Sequence, residues 1–162
     1  MIPPSSPDEA VFRRLGETLD RLATIPLGFR DSPRPELAGF YRAARARSGE
    51  GPISLSMATA LIRAAEINPT VLIATGEYES PGYENGESDG PLGAAALARA
   101  LRGLGRKVIL CHEPRLNAAH RGVIDAFVGE ALPVAEYPGG ADFDCRDLSR
   151  AILAKHDPAA LI

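Results

Sequence analysis

The chain has little cysteine, no basic excess and no long hydrophobic run, and each shortage removes a class of protein. Cys111 and Cys145 are its two cysteines, far apart and outside any CxxC pairing. They read as reduced thiols, which excludes a disulfide framework and a zinc site of the usual spacing. Lys and Arg total 18 against 21 Asp and Glu, for a net charge of −3. Without a Lys/Arg cluster there is no electrostatic footprint for nucleic acid or an anionic membrane. The longest apolar run falls far short of the ~20 residues that cross a bilayer. Met1-Ile2-Pro3-Pro4-Ser5-Ser6-Pro7 has neither a basic n-region nor an apolar h-region, so no signal peptide is expected. What is left is a cytoplasmic globular domain, with 162 residues, 45% apolar and 24% charged, long enough to bury a core.

Helical spacing comes first along the chain. Asp8-Glu9 opens an amphipathic segment in which Val11, Phe12, Leu15, Leu19 and Leu22 recur at that period. Three prolines and Gly28 punctuate 25–35 as a loop. Pro35-Glu36 starts a second helix, ended by Ser48-Gly49-Glu50-Gly51-Pro52, and a third is expected from about Ser54 to Ala65. The pattern then changes. Thr70-Val71-Leu72-Ile73-Ala74-Thr75 is a continuous apolar run between Pro69 and Gly76, the signature of a strand buried on both faces of a parallel sheet. Further elements are expected as a helix over Leu92–Leu104, a strand over Lys107–Cys111, a helix over Ala118–Leu132, a strand over Val134–Tyr137 and a helix over Asp147–Lys155. Ala159–Ile162 looks like a strand of interior composition.

This alternation predicts an α/β, small Rossmann-like fold: a mainly parallel sheet of three to four strands with flanking helices, preceded by an N-terminal helical segment. Residues 1–68 are expected as helices packed on the core and 69–162 as a βαβ half-domain. Three or four strands are few for this architecture, so the sequence reads as the first half of a longer doubly wound domain or as a natural short form. A homo-oligomer or a separately encoded second half would then be its macromolecular partner.

The chemistry concentrates between Thr75 and Ala94. Gly76 to Pro91 forms a sixteen-residue loop leaving the carboxyl end of the first strand, where open α/β sheets place ligands; loops this long in compact domains are usually functional. Ser88 or Asp89 suits the N-cap of the next helix and Pro91 its first turn. Gly90 and Gly93 lack side chains, so a carboxylate or phosphate can approach backbone N–H groups at the helix start. Against this, Ser88-Asp89-Gly90-Pro91 can be only a cap and turn, and Gly93 can serve only helix–sheet packing. The spacing is neither GxGxxG nor a phosphate loop, so no nucleotide cofactor is expected.

Val71-Leu72-Ile73-Ala74-Thr75-Gly76 and Glu87-Ser88-Asp89-Gly90-Pro91-Leu92-Gly93-Ala94, with the Ala/Leu-rich stretch to Leu101, resemble the D-glutamate cyclase family. In that family a strand ending in Thr-Gly is followed by a loop with Glu-Thr-Asp-Gly-Pro, then Gly-Ala and a helix. Leu104-Gly105-Arg106-Lys107-Val108-Ile109-Leu110 continues the likeness. It is good over 69–111 and weaker over 112–162. Ser88 stands where Thr is usual and keeps the hydroxyl; Glu77 stands where an aromatic is usual. The resemblance implies a lyase that closes D-glutamate to 5-oxo-D-proline with loss of water. Asp89 and Glu87 are then the catalytic candidates, as base, metal ligand or ammonium anchor. Thr75, Gly76, Ser88, Gly90, Gly93 and Ala94 are candidates for holding the substrate, a small amino acid or other carboxylate. The loop acids Glu77, Glu79, Glu84, Glu87 and Asp89 could bind a hard divalent cation such as Mn²⁺ or Mg²⁺. The rival reading is a non-catalytic anion-binding, amino-acid-binding or assembly module.

Other residues carry weaker signals. His112 and His120 are eight apart, not a same-face pair on one helix, although His112 stands at a strand end. Cys111 reads as a small core residue. In Asp142-Phe143-Asp144-Cys145-Arg146-Asp147 the glycine of a calcium loop is missing, and Asp147 is expected to cap the last helix.

Overall fold

A computed structural model of the protein describes residues 7–24, 36–49, 51–75, 89–112, 117–136 and 145–162. Along them run α1 (Pro7–Ala23), α2 (Glu36–Ser48), α3 (Ile53–Ile67), β1 (Thr70–Ala74), α4 (Asp89–Gly103), β2 (Lys107–His112), α5 (Asn117–Val128), β3 (Val134–Glu136), α6 (Cys145–His156) and β4 (Ala160–Leu161). The chain divides into two compact units, Met1–Arg63 and Ala64–Ile162.

The second unit is a four-stranded, all-parallel sheet in the order β3-β2-β1-β4. In β1, Thr70 to Ile73 are all buried, as expected of a central strand covered on both faces. Its register sets Val71 beside Val108 and Ile73 beside Leu110, so these four side chains share one face. Leu72, Ile109, Cys111 and Ala135 form a buried cluster on the other, with Ile152 of α6 against it. The steps β1–α4–β2 and β2–α5–β3 move the same way across the sheet, whereas β3–α6–β4 returns past β1. Right-handed crossovers therefore place α4 and α5 on one face and α6 on the other. The buried residues Ala94, Ala95, Ala98 and Leu101 of α4 fall at helical spacing and make its inner side. Small alanines there let the helix lie close to the strands.

Beside β1, β4 is held at several points. Ala159 N donates to Thr70 O at 2.8 Å and Ile162 N to Leu72 O at 3.0 Å. The side chain of Asn68 bridges the same neighbourhood: its amide donates to Asp157 O and its carbonyl accepts from Thr70 N at 3.0 Å. Contrary to its interior composition, β4 lies at the edge of this sheet, and Leu161 is exposed.

Three boundaries differ from the periodicity. α4 begins at Asp89, not Leu92, because a proline at its third position loses no helical hydrogen bond. α5 ends at Val128 rather than Leu132: Gly129 turns to φ 84, a left-handed conformation that stops the helix, and its N–H caps Asp125 O at 2.8 Å. Asp147 is the third residue of α6, past the capping position, and pairs with Arg150 at 3.5 Å on the surface.

In the first unit, polar contacts hold the helices. Asp20 of α1 is buried, and its carboxylate accepts from Ile53 N at 2.7 Å, Ser54 N at 3.0 Å and Tyr41 Oη at 2.8 Å. A side chain from one helix thus satisfies the N–H groups at the start of another, α3. Arg45 donates to Tyr41 Oη at 2.8 Å and lies 3.8 Å from Glu17. Gly16 sits so near α3 that a Cβ there would come within 2.8 Å of Pro52 Cβ. These bonds outweigh burial, which opposes the charged form, and lower the Asp20 carboxyl from 3.8 to about 2.

Candidate functional site

The winding of the sheet reverses at β1, since the chain leaves it toward β2 and later comes back to its other side with β4. In open parallel sheets the ligand crevice lies outside the carboxyl ends of the strands at such a switch point. Ala74 N donates to Ile162 O at 2.7 Å and Thr75 N to Cys111 O at 3.1 Å. The end of β1 is therefore held from both sides up to Thr75, which is half-buried.

From there the chain passes through 76–88 to α4. As the crossover helix of a βαβ unit, α4 starts at the carboxyl edge of the sheet and runs back along it. Asp89 is its first residue, Gly90 its second and Pro91 its third. Ser88 directly precedes it in sequence. Gly76, Glu87 and Ser88 lie outside the described residues, as do Glu77, Glu79, Glu84 and the side chain of Asp89. Gly90 is half-buried, and Gly93 is exposed with nothing within 4 Å of a Cβ built on it. Packing among the described residues therefore does not require a glycine at 93. The amides of Gly93 and Ala94 fall beyond the four helix-start N–H groups that lack intrahelical acceptors, and the Ala94 side chain is in the core. The positive end of the helix dipole lies at the first residues of α4, Asp89 and Gly90. Among the described residues no group of three or more His, Cys, Asp and Glu could hold a metal ion.

Spacing alone did not bring out a second group at the same edge. His112 ends β2 and is fully buried. The β1–β2 register continues from Ala74–Cys111 to Thr75 beside His112, and His112 pairs in turn with Glu136 of β3. Thr75, His112 and Glu136 thus form a row across three strands, on the face that carries α4 and α5. His120, near the start of α5, is also buried. Counting along one helix separated these histidines; a strand end and the following helix start bring both to one edge. Cys111 next to them belongs to the opposite face, and burial raises its thiol pKa, as befits a core residue and not a nucleophile.

The fold is a parallel, doubly wound α/β domain whose sheet reverses its winding at β1. A family model for the D-glutamate cyclase-like, C-terminal domain matches residues 45–157. The chain belongs to that family, and the match reaches upstream of the sheet through α3 to the end of α2. No curated protein and no solved structure matches the chain. Among the described residues no helix is long and apolar enough to cross a membrane.

Proposed function

We propose that the β1–α4 junction binds D-glutamate and closes it to 5-oxo-D-proline, a carbon–oxygen lyase reaction suited to the cytoplasm. The observation that supports this most is where the fold puts the stretch that carries the family likeness. The chain belongs to the D-glutamate cyclase-like family over 45–157, and α4, whose first three residues are Asp89-Gly90-Pro91, starts at the sheet's switch point.

The reaction joins the α-nitrogen to the γ-carbon and breaks a γ-carbon–oxygen bond. The two protons that the ammonium gives up are the two that the departing oxygen gains as water. Asp89, with Glu87 beside it, takes the first proton as general base, since a free amine is needed for attack. The tetrahedral oxyanion is met by the Ser88 hydroxyl and the first amides of α4, at the positive end of the helix dipole. The same carboxylates then return a proton to the leaving oxygen. Thr75, at the end of β1, meets the substrate from the strand side, and Gly76 follows it in sequence. Ligands for Mg²⁺ or Mn²⁺ would come from the loop acids, so both ions enter the test as added components.

Backbone amide NMR of the ¹⁵N-labelled chain tests the placement. D-Glutamate should shift the resonances of Thr75, Asp89 and Gly90, and L-glutamate should do so less. Shifts confined to residues outside 75–94, or none at saturating D-glutamate with and without the two ions, would reject the site.

A further inference from the structure

In α1 the apolar side faces outward. Val11, Phe12, Leu15, Leu19 and Leu22 are 55%, 57%, 53%, 56% and 60% exposed, while Gly16 and Asp20 on the adjoining side are buried. The helix cannot roll to hide the stripe within its own unit. Doing so would strip the Ile53, Ser54 and Tyr41 hydrogen bonds from the Asp20 carboxylate and break the close approach of Gly16 to Pro52. Losing partners for a buried carboxylate is among the costlier local changes a protein can suffer.

We propose that this face of α1 pairs antiparallel with α1 of a second copy of the chain. Phe12, Leu15, Leu19 and Leu22 are spaced three, four and three apart, the a and d positions of a heptad seam. Under a two-fold axis, Leu15 lies opposite Leu19 of the second copy and Phe12 opposite Leu22, so the stripe is complementary to itself. The flanking positions Gly16, Thr18 and Ala23 carry no charge, and the antiparallel arrangement opposes the two helix dipoles favourably. The five side chains leave roughly 550 Å² uncovered per copy, so a pair would bury at most about 1,100 Å², within reach of the ~1,000 Å² expected of a specific interface. An interface of this size belongs with the weak, reversible ones.

Sedimentation equilibrium of the full chain, from low micromolar to submillimolar concentration, tests the pairing. The mass should climb from 17.1 kDa toward twice that value. Leu15→Glu/Leu19→Glu, which places charge on exposed positions, should stay monomeric with an unchanged far-UV spectrum. Cross-linking in a Cys145→Ser background covers the case in which that variant unfolds. Leu15→Cys chains mixed with Leu19→Cys chains should form disulfide-linked heterodimers in preference to either homodimer. A wild-type chain that stays monomeric throughout, a folded double-glutamate variant that still dimerises, or cross-linking dominated by Leu15→Cys homodimers would each overturn the proposal.

Discussion

Replacing Asp20 by asparagine keeps the size of the side chain and one acceptor oxygen, but removes the charge that draws three donors together. Two of those donors are helix-start N–H groups, at 2.7 and 3.0 Å, and the third is the Tyr41 hydroxyl at 2.8 Å. The size of the effect follows from the carboxyl's shift. Burial raises its pKa and the hydrogen bonds from Ser54, Tyr41 and Ile53 lower it further, to a net value of about 2 against 3.8. At 1.36 kcal/mol per unit, the folded state gains roughly 2 kcal/mol from ionisation of this group. Because the folded pKa is the lower one, that stability is fully present above about pH 4 and is lost as pH falls toward about 2. Urea unfolding followed by far-UV circular dichroism reads it, fitted to the transition of the helical unit Met1–Arg63. Asp20→Asn should cost roughly 2 kcal/mol near neutral pH, and the gap between variant and wild type should close at about pH 2. Equal stability near neutral pH, or a gap that does not depend on pH, would refute the reasoning.

Three further outcomes are expected. Gly16→Ala puts a Cβ 2.8 Å from Pro52 Cβ and should destabilise the helical unit by about 1–3 kcal/mol, measured by the same unfolding. Cys111, buried with a raised thiol pKa, should resist iodoacetamide in the native chain and react on unfolding, as read by peptide mass spectrometry; rapid native labelling would contradict its place in the core. Asp89→Asn should keep the thermal transition while lowering the rate of 5-oxoproline formation by about 10²–10⁴-fold, the range of a lost general base. A large loss of stability with unchanged turnover would make the residue a structural one only.

The parallel sheet was legible because Thr70–Ile73 is apolar without alternation, and only burial on both faces tolerates that in a strand. Helix ends were less so. Residues through Leu132 keep the apolar period, and Leu132 is buried, but the backbone had already turned at Gly129; a buried residue after a helix looks in sequence like one more helical position. The facing of α1 was hidden for a related reason. An apolar stripe at helical spacing does not say what covers it, and the polar side of this helix is held by Tyr41, Ile53 and Ser54, which lie 21 to 34 residues away.

At the candidate site, the end of β1 and the start of α4 could be read from Thr75 and Pro91. The apolar run ends there, and proline suits only the first helical turn. That brackets the start of α4 to within a turn, although the apolar period set it at Leu92 and the helix begins at Asp89. The row Thr75–His112–Glu136 could not, because it depends on the register of three strands far apart in sequence. Periodicity reports neighbours along one element and is silent on neighbours across a sheet.

The central claim, cyclisation of D-glutamate, is tested most directly by turnover. The purified chain is incubated with D- or L-glutamate, each with and without Mg²⁺ or Mn²⁺, and 5-oxoproline is resolved by chiral chromatography. The account predicts 5-oxo-D-proline from the D-isomer well above the spontaneous rate and little product from the L-isomer. Product at the spontaneous rate from both isomers under every metal condition would contradict it.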